Sequence, residues 1–412
     1  MVQQRTIAMH KLRQAQLAIT VTTIVCLTTP WILTGEPQQK SATFSELAEK
    51  AKRASSENLL DEAAALYARA LAQRPRWKEG WWSLGTLEYD QDHYAKAANA
   101  FLKLLALDPR NGTAHAMLGL CQFELQQDDL ALQNLVAAEK FGVVKDEQLR
   151  KVAVFQMGLL QLRALKFSSA KETLWQLAKD GVRTNGLVAA LGQAALMIRP
   201  QDAPAEGTDG YRVVNRVGDA EVALATKDFD HARKIYAELN AEFPPYPNLH
   251  LAYGRLLLEL HENDGAVAQF QEELQRDPEN IHSLLEIAAV RYRVDSQNAL
   301  PYAERAVKLA PQIPFAHYLL GALRLDLGDA AGAIPELEVA RRGLPQAAEI
   351  HFALGNAYAR TGRKLEAAKA RGEFARLNRL NSPQFGAPVH GETPSGLKQK
   401  ELQSIETKRP PR

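Results

Sequence analysis

A short pattern returns along this chain at a spacing that constrains its fold more than any other feature. Trp81-Trp82-Ser83-Leu84-Gly85 and His115-Ala116-Met117-Leu118-Gly119 stand 34 residues apart. His250-Leu251-Ala252-Tyr253-Gly254, His317-Tyr318-Leu319-Leu320-Gly321 and His351-Phe352-Ala353-Leu354-Gly355 follow in the same form. Twelve residues after each glycine comes an alanine: Ala97, Ala131, Ala266, Ala333 and Ala367. Four further on, Phe101, Leu135, Phe270 and Leu337 supply a large apolar group, and Pro75, Pro109, Pro244, Pro278, Pro311 and Pro345 close most of the units. A period of roughly 20–50 residues signals stacked supersecondary units and overrides the domain count that length alone suggests.

Each recurring residue has a physical task. Trp81, Leu84 and Gly85 sit at i, i+3 and i+4, so on a helix they share one face. The glycine and the later alanine are small because two antiparallel helices cross there. The proline lacks a backbone N–H and ends the unit. One hairpin of two helices cannot bury its apolar face alone, whereas a stack of hairpins makes a continuous core. Composition agrees with this reading: 46% of residues are hydrophobic and 24% charged, which is the profile of a folded protein.

On these residues the chain resembles the tetratricopeptide-repeat family, whose pattern is W-x2-L-G-x2-Y, then A-x3-F, then P. Repeats are placed near Phe44, Lys78, Gly112, Lys151, Val213, Pro247, Ile281, Pro314 and Ala348, about nine over roughly 44–380. Histidine often replaces the first tryptophan, and Glu88, Gln122, Arg291 and Arg324 stand where tyrosine is usual. The repeat near Ile281 is one residue short. The resemblance implies an all-α fold, a right-handed superhelical solenoid of antiparallel helix pairs, to which the composition of the two ends adds an N-terminal apolar segment and a disordered C-terminal tail.

The register breaks once. After Leu191-Gly192 the expected second helix is missing, and a Pro- and Gly-containing stretch from Arg199 to Gly210 reads as a loop. The expected organisation is a block over 44–198 (about four repeats and a half-repeat), a linker at 199–210, and a block of about five repeats over 211–380. Past Leu380, Pro383, Gly386, Pro388, Gly391, Pro394 and Gly396 break any helix, which is the composition of a disordered tail over 381–412.

The N-terminus reads as an address. Arg5, Lys11 and Arg13 precede a stretch from Gln14 to Gly35 with no charged residue. That arrangement suits a signal peptide or a signal anchor over residues 1–35. A cut after Gly35 places bulky Leu33 at the −3 position, which argues against cleavage. Six threonines, Gln16 and Pro30 weaken the span, which argues against an anchor. Either outcome exports the repeats: membrane-anchored outside the cytoplasm, or periplasmic or secreted after cleavage.

No catalytic constellation, cofactor motif or metal spacing emerges, so the expectation is a protein that is not an enzyme. His115, His250, His317 and His351 occupy one repeat position and are therefore a helix-pair step apart, whereas zinc ligands converge within about 2 Å of one centre. Lys and Arg number 50 against 48 Asp and Glu, a balance that gives no field for nucleic acid. What remains is a protein or peptide partner, with the membrane as a second partner if the N-terminal segment stays attached. The two functions weighed are an interaction adaptor and a structural, self-associating scaffold of an envelope complex.

In the family, the first helices of successive repeats line a concave groove that holds ligand peptides. One subgroup grips a carboxyl terminus with a cationic clamp. Trp82, Ala116, Phe155, Leu251, Leu285, Tyr318 and Phe352 occupy the place of its leading cation here, so that ligand is not expected. Consecutive helical residues point about 100° apart. If Trp81 packs inward, Trp82 faces the groove, and the same arithmetic turns Phe352 and Asn356 outward. The candidate partner-binding residues are Trp82, Phe155, Leu251, Phe315, Tyr318, Phe352 and Asn356.

Overall fold

The computed structural model describes residues 42–143 and 146–380, and every regular element among them is helical. The first pairs are α1 (Phe44–Ser56) with α2 (Leu60–Gln73), α3 (Lys78–Asp90) with α4 (Tyr94–Leu107), α5 (Gly112–Glu124) with α6 (Asp128–Phe141), and α7 (Glu147–Arg163) with α8 (Phe167–Lys179). Next come α9 (Asn185–Leu196), a 3₁₀ turn (Pro200–Asp202), α10 (Asp209–Ala225) and α11 (Phe229–Glu242). The remaining pairs are α12 (Leu249–Glu259) with α13 (Asn263–Arg276), α14 (Ile281–Arg291) with α15 (Ser296–Leu309), α16 (Pro314–Asp326) with α17 (Ala330–Gly343), and α18 (Ala348–Arg360) with α19 (Lys364–Leu380). The N-terminal apolar segment and the tail anticipated from sequence lie outside the described residues. Within the described residues no helix is long and apolar enough to cross a membrane.

Most pairs turn on the same device. The first helix ends with a residue in the left-handed region, among them Asn58, Asp92, Gln126, Leu165 and His261, or with Gly328 and Gly362. The next N–H then reaches back five residues, as in His93 N–H to Glu88 O (2.8 Å), Gln127 to Gln122 (2.9 Å) and Asp329 to Arg324 (2.8 Å). This closes otherwise orphaned helix carbonyls and reverses the chain within a few residues.

Small residues set the distance between the paired helices. A Cβ on Gly85 would lie 2.7 Å from the Phe101 ring, one on Gly254 2.4 Å from Phe270, and one on Gly321 2.7 Å from Leu337. The repeat alanines Ala97, Ala131, Ala266 and Ala333 are wholly buried at the same crossings.

The first position of the pattern has a role that its Trp/His alternation concealed. Trp81 Nε1–H donates to the carbonyl of Pro75 (2.8 Å). His115, His317 and His351 place Nε2 against the carbonyls of Pro109 (3.1 Å), Pro311 (2.9 Å) and Pro345 (3.0 Å). Both ring types offer an N–H in the same place, so the alternation preserves one contact that ties a first helix to the turn before it. The imidazole Nδ1 meets a polar residue 19 positions on: Asn134 for His115, Gln269 for His250 and Glu336 for His317. Trp81, which has no second nitrogen, faces Ala100 at that offset.

Where the sequence register breaks, the packing changes partner. α9 has no second helix of its own and lies directly against α10, which also reaches α8, while α9 touches α12 as first helices do elsewhere. Two glycines permit this approach. A Cβ on Gly192 would fall 1.9 Å from Val214 O, and one on Gly218 1.9 Å from Val188 O. The backbones are in contact.

Candidate protein-binding surface

The seven groove candidates divide by exposure. Leu251 and Phe315 are 0% exposed and Tyr318 only 4%, so these three are core residues and not part of an open groove. The reason is the stack itself. α16 is flanked by first helices α14 and α18, and Tyr292 and Arg293 beside α14 and Glu349 on α18 all act on the Tyr318 hydroxyl. Burial is the main cause that pushes this hydroxyl's pKa up, with Tyr292 next.

The face next to Leu251 is also used within the chain. Arg255, one turn along α12, donates Nε–H to Glu286 on α14 (3.2 Å), and the two side chains are 17% and 1% exposed. That ion pair joins successive first helices at a position where a peptide ligand was expected to lie.

Trp82, Phe155 and Asn356 are half-buried. Trp82 meets Phe101 edge-on, with ring centroids 5.7 Å apart. Phe155 stands beside α9, where a Cβ on Gly186 would be 3.4 Å from its ring. Phe352 is the open member at 44%, and it rests on Phe374 of α19 (5.3 Å between centroids). Its equivalents Leu251, Leu285 and Tyr318 are buried with further helices beside them. α18 is the last first helix among the described residues, so Phe352 keeps the face that is closed in those repeats.

Two polar hubs at the register break escaped the sequence reading. Glu221 of α10 is 2% exposed and accepts from Trp175 Nε1 on α8 (3.0 Å) and from Tyr236 OH on α11 (2.9 Å), with Lys171 Nζ at 3.8 Å. Burial first, and then the Glu221 charge, hold the Tyr236 hydroxyl well above its usual pKa, so it remains a donor. Asn248 donates Nδ2–H to the last carbonyl of α9, Leu196 O (2.9 Å), and its backbone N–H to Glu273 Oε1 (3.1 Å). It also accepts from Asn280 Nδ2 (3.1 Å). No periodicity marks either residue. A glutamate at the usual tyrosine position was the signal available for Glu221.

Among the described residues no group of three or more His, Cys, Asp or Glu side chains could hold a metal ion. The repeat histidines instead make the separate contacts given above.

The tetratricopeptide-repeat family model matches residues 83–140, 219–281, 289–343 and 325–372. Nothing among curated proteins matches the chain. Among solved structures, a crystal structure of MamA is 20% identical, with 39% of this chain and 94% of that one covered and a TM-score of 0.37. MamA 41-end from Desulfovibrio magneticus RS-1 is 22% identical, with 40% and 93% covered and a TM-score of 0.37. The matched segments fall on both sides of the register break, on helix pairs that share one crossing and one turn, and the chain therefore belongs to the tetratricopeptide-repeat family.

Proposed function

We propose that the chain is a non-catalytic adaptor that binds a polypeptide segment against its first helices. The repeat array supports a role in protein interaction, as adaptor or scaffold. The observation that carries the finer reading is Phe352, 44% exposed where Leu251, Leu285 and Tyr318 of other repeats are buried. A partner segment laid there would use the apolar surface that a further repeat would use. Trp82, Phe155 and Asn356 are the other accessible candidates.

Aromatic anchors carry much of an interface's energy, so Phe352→Ala should weaken binding by about 2 kcal/mol or more. The check is recovery of a cross-linked partner, identified by mass spectrometry, from wild type and from the Phe352→Ala and Asn356→Ala variants. Undiminished recovery with native circular dichroism would remove this face from consideration. The scaffold reading is favoured by the end of the last pair, where Leu365, Leu380 and Phe352 are all exposed. Light scattering separates the two, since a monomer independent of concentration supports the adaptor.

Export belongs to the same proposal. The basic start and uncharged stretch of residues 1–35 motivate it, and they lie outside the described residues. A reporter active only outside the cytoplasm, fused after residue 43, should be active. Silence in a well-expressed fusion would refute export.

A further inference from the structure

The second pair contains an open cleft of about 360 Å³, lined by Ala68 of α2, Trp81, Leu84 and Glu88 of α3, and Ala95, Lys96, Asn99 and Ala100 of α4. That volume lies toward the lower end of the roughly 300–1,000 Å³ typical of ligand sites. In the pairs that contain His115, His250 and His317, the residue 19 positions on is Asn134, Gln269 or Glu336, and its side chain bonds to that histidine, while His351 has Ala370 at this offset. In this pair the same offset holds Ala100, flanked by Ala68 and Ala95. Leu84 is half-buried, as Tyr253 is, whereas Leu118, Leu320 and Leu354 at the equivalent position are buried.

The cleft has an apolar wall and an anionic end. Trp81 and Leu84 form the wall. The Glu88 side chain is 11% exposed, and both of its ionic contacts, His93 Nδ1 at 2.8 Å and Lys96 Nζ at 3.7 Å, fall on Oε2. Its other oxygen, Oε1, has no hydrogen-bond partner among the described residues. Lys96 belongs to a mostly exposed side chain and lies beyond hydrogen-bond distance.

We infer that this cleft takes the side chain of an arginine or lysine presented by a partner polypeptide. The aliphatic stem lies against Trp81 and Leu84, and the cationic head donates to Glu88 Oε1. A carboxylate and an indole both attract a cation, and in a partly desolvated site the carboxylate hydrogen bond is charge-assisted. Lys96 is the internal competitor that the incoming cation displaces. The inference does not depend on the Phe352 face, because its test needs no natural partner.

The experiment titrates the full chain, isotope-labelled at its tryptophan indoles, with n-butylguanidinium and with n-butanol, following the Trp81 signal identified by Trp81→Phe. The cation should bind at least about tenfold more tightly than the alcohol, the factor expected of one charge-assisted hydrogen bond. The peptide acetyl-Ala-Arg-Ala-amide should bind at least as tightly as the free cation. Glu88→Gln should erase the preference for charge, and Lys96→Ala should strengthen binding. Ala100→Gln, which installs the residue type of Gln269, should close the cleft and abolish the response. Equal binding of alcohol and cation would overturn the inference, as would an unchanged titration in Glu88→Gln or in folded Ala100→Gln. A peptide that binds more weakly than butylguanidinium would overturn the side-chain assignment.

Discussion

From Leu249 to Leu380 the same few contacts return in most helix pairs, while from Phe167 to Glu242 the packing rests largely on contacts that occur once. In the regular region a helical glycine meets the side chain of a large apolar residue, as Gly254 meets Phe270 and Gly321 meets Leu337. At the break, Gly192 and Gly218 meet backbone carbonyls. Polar contacts differ in the same way. His317 and His351 each tie to a proline six residues back, a local contact repeated by neighbours, whereas Glu221 gathers donors 46 and 15 residues away and Asn248 spans 52 residues to reach Leu196. A repeat can lose one contact and keep its neighbours' copies. The break has no copies, so its stability is concentrated in a few side chains.

The largest expected consequence is at Glu221. Glu221→Ala leaves the Tyr236 hydroxyl, the Trp175 indole N–H and Lys171 without their shared acceptor. Removing one member of a buried charged cluster costs about 3–5 kcal/mol. Urea unfolding of the variant measures this, and a loss below about 1 kcal/mol would show that solvent replaces Glu221 easily and that the break is not specially vulnerable. Tyr236→Phe removes one hydrogen bond to a charged group and should cost less, about 1.5–3 kcal/mol.

The glycines give a smaller and more direct contrast. Gly218→Ala forces a methyl against Val188 O and should destabilise by about 1–3 kcal/mol through overpacking. Gly321→Ala presses on the Leu337 side chain, and alanine gains about 1 kcal/mol over glycine in a helix, so its net loss should be smaller, about 1 kcal/mol or less. Thermal unfolding of the two variants side by side tests this, and equal losses would end the distinction between backbone and side-chain crossings. Hydrogen exchange in Gly218→Ala should loosen α9 and α10 first, because repeat arrays couple mainly to nearest neighbours.

This contrast also explains what could be read in the sequence. The helices that begin at Phe44, Lys78, Gly112, Ile281, Pro314 and Ala348 start where the repeat phase puts them, because glycine, alanine and proline at fixed offsets encode the crossing and the turn directly. Helical-wheel arithmetic was less able to find the open face. It placed Leu251, Phe315 and Tyr318 on an open face, but a first helix has neighbours on two sides, and all three are buried. Phe352 is exposed because of where it falls in the array, a property that no local pattern carries. Glu221 and Asn248 depend on contacts between distant, unrepeated positions, and periodicity is silent about these.

Within the repeats a subtler dependence links Trp81 and Ala100. Histidine at this repeat position has a polar partner 19 residues on in three pairs, whereas Trp81, like His351, has an alanine there. Trp81→His should therefore be destabilising alone and less so with Ala100→Asn, which restores the combination of His115 and Asn134. Residues in contact show interaction energies of about 0.5–3 kcal/mol in a double-mutant cycle. Strict additivity would mean that the two positions are independent and the alternation accidental.

The smallest expected effect is kinetic and reads the coupling between the break and the repeats that precede it. Cys121 on α5 is wholly buried, and burial, assisted by Glu124 and partly offset by a backbone hydrogen bond, pushes its thiol pKa up to about 12. The thiolate is the reactive form, so near pH 8 the folded protein presents neither the charge state nor the access that an alkylating reagent needs. Labelling in a Cys26→Ser background then reports local opening of α5 and α6. Gly119→Ala, whose methyl meets Leu135 at 2.8 Å, disturbs that pair directly. A destabilisation of about 1 kcal/mol there should speed labelling roughly fivefold. Gly218→Ala acts beyond the intervening pair α7 and α8, and nearest-neighbour coupling predicts a change of less than about twofold. Equal acceleration by both variants would show that the break and the repeats open together, and the division between them would then be one of contacts alone.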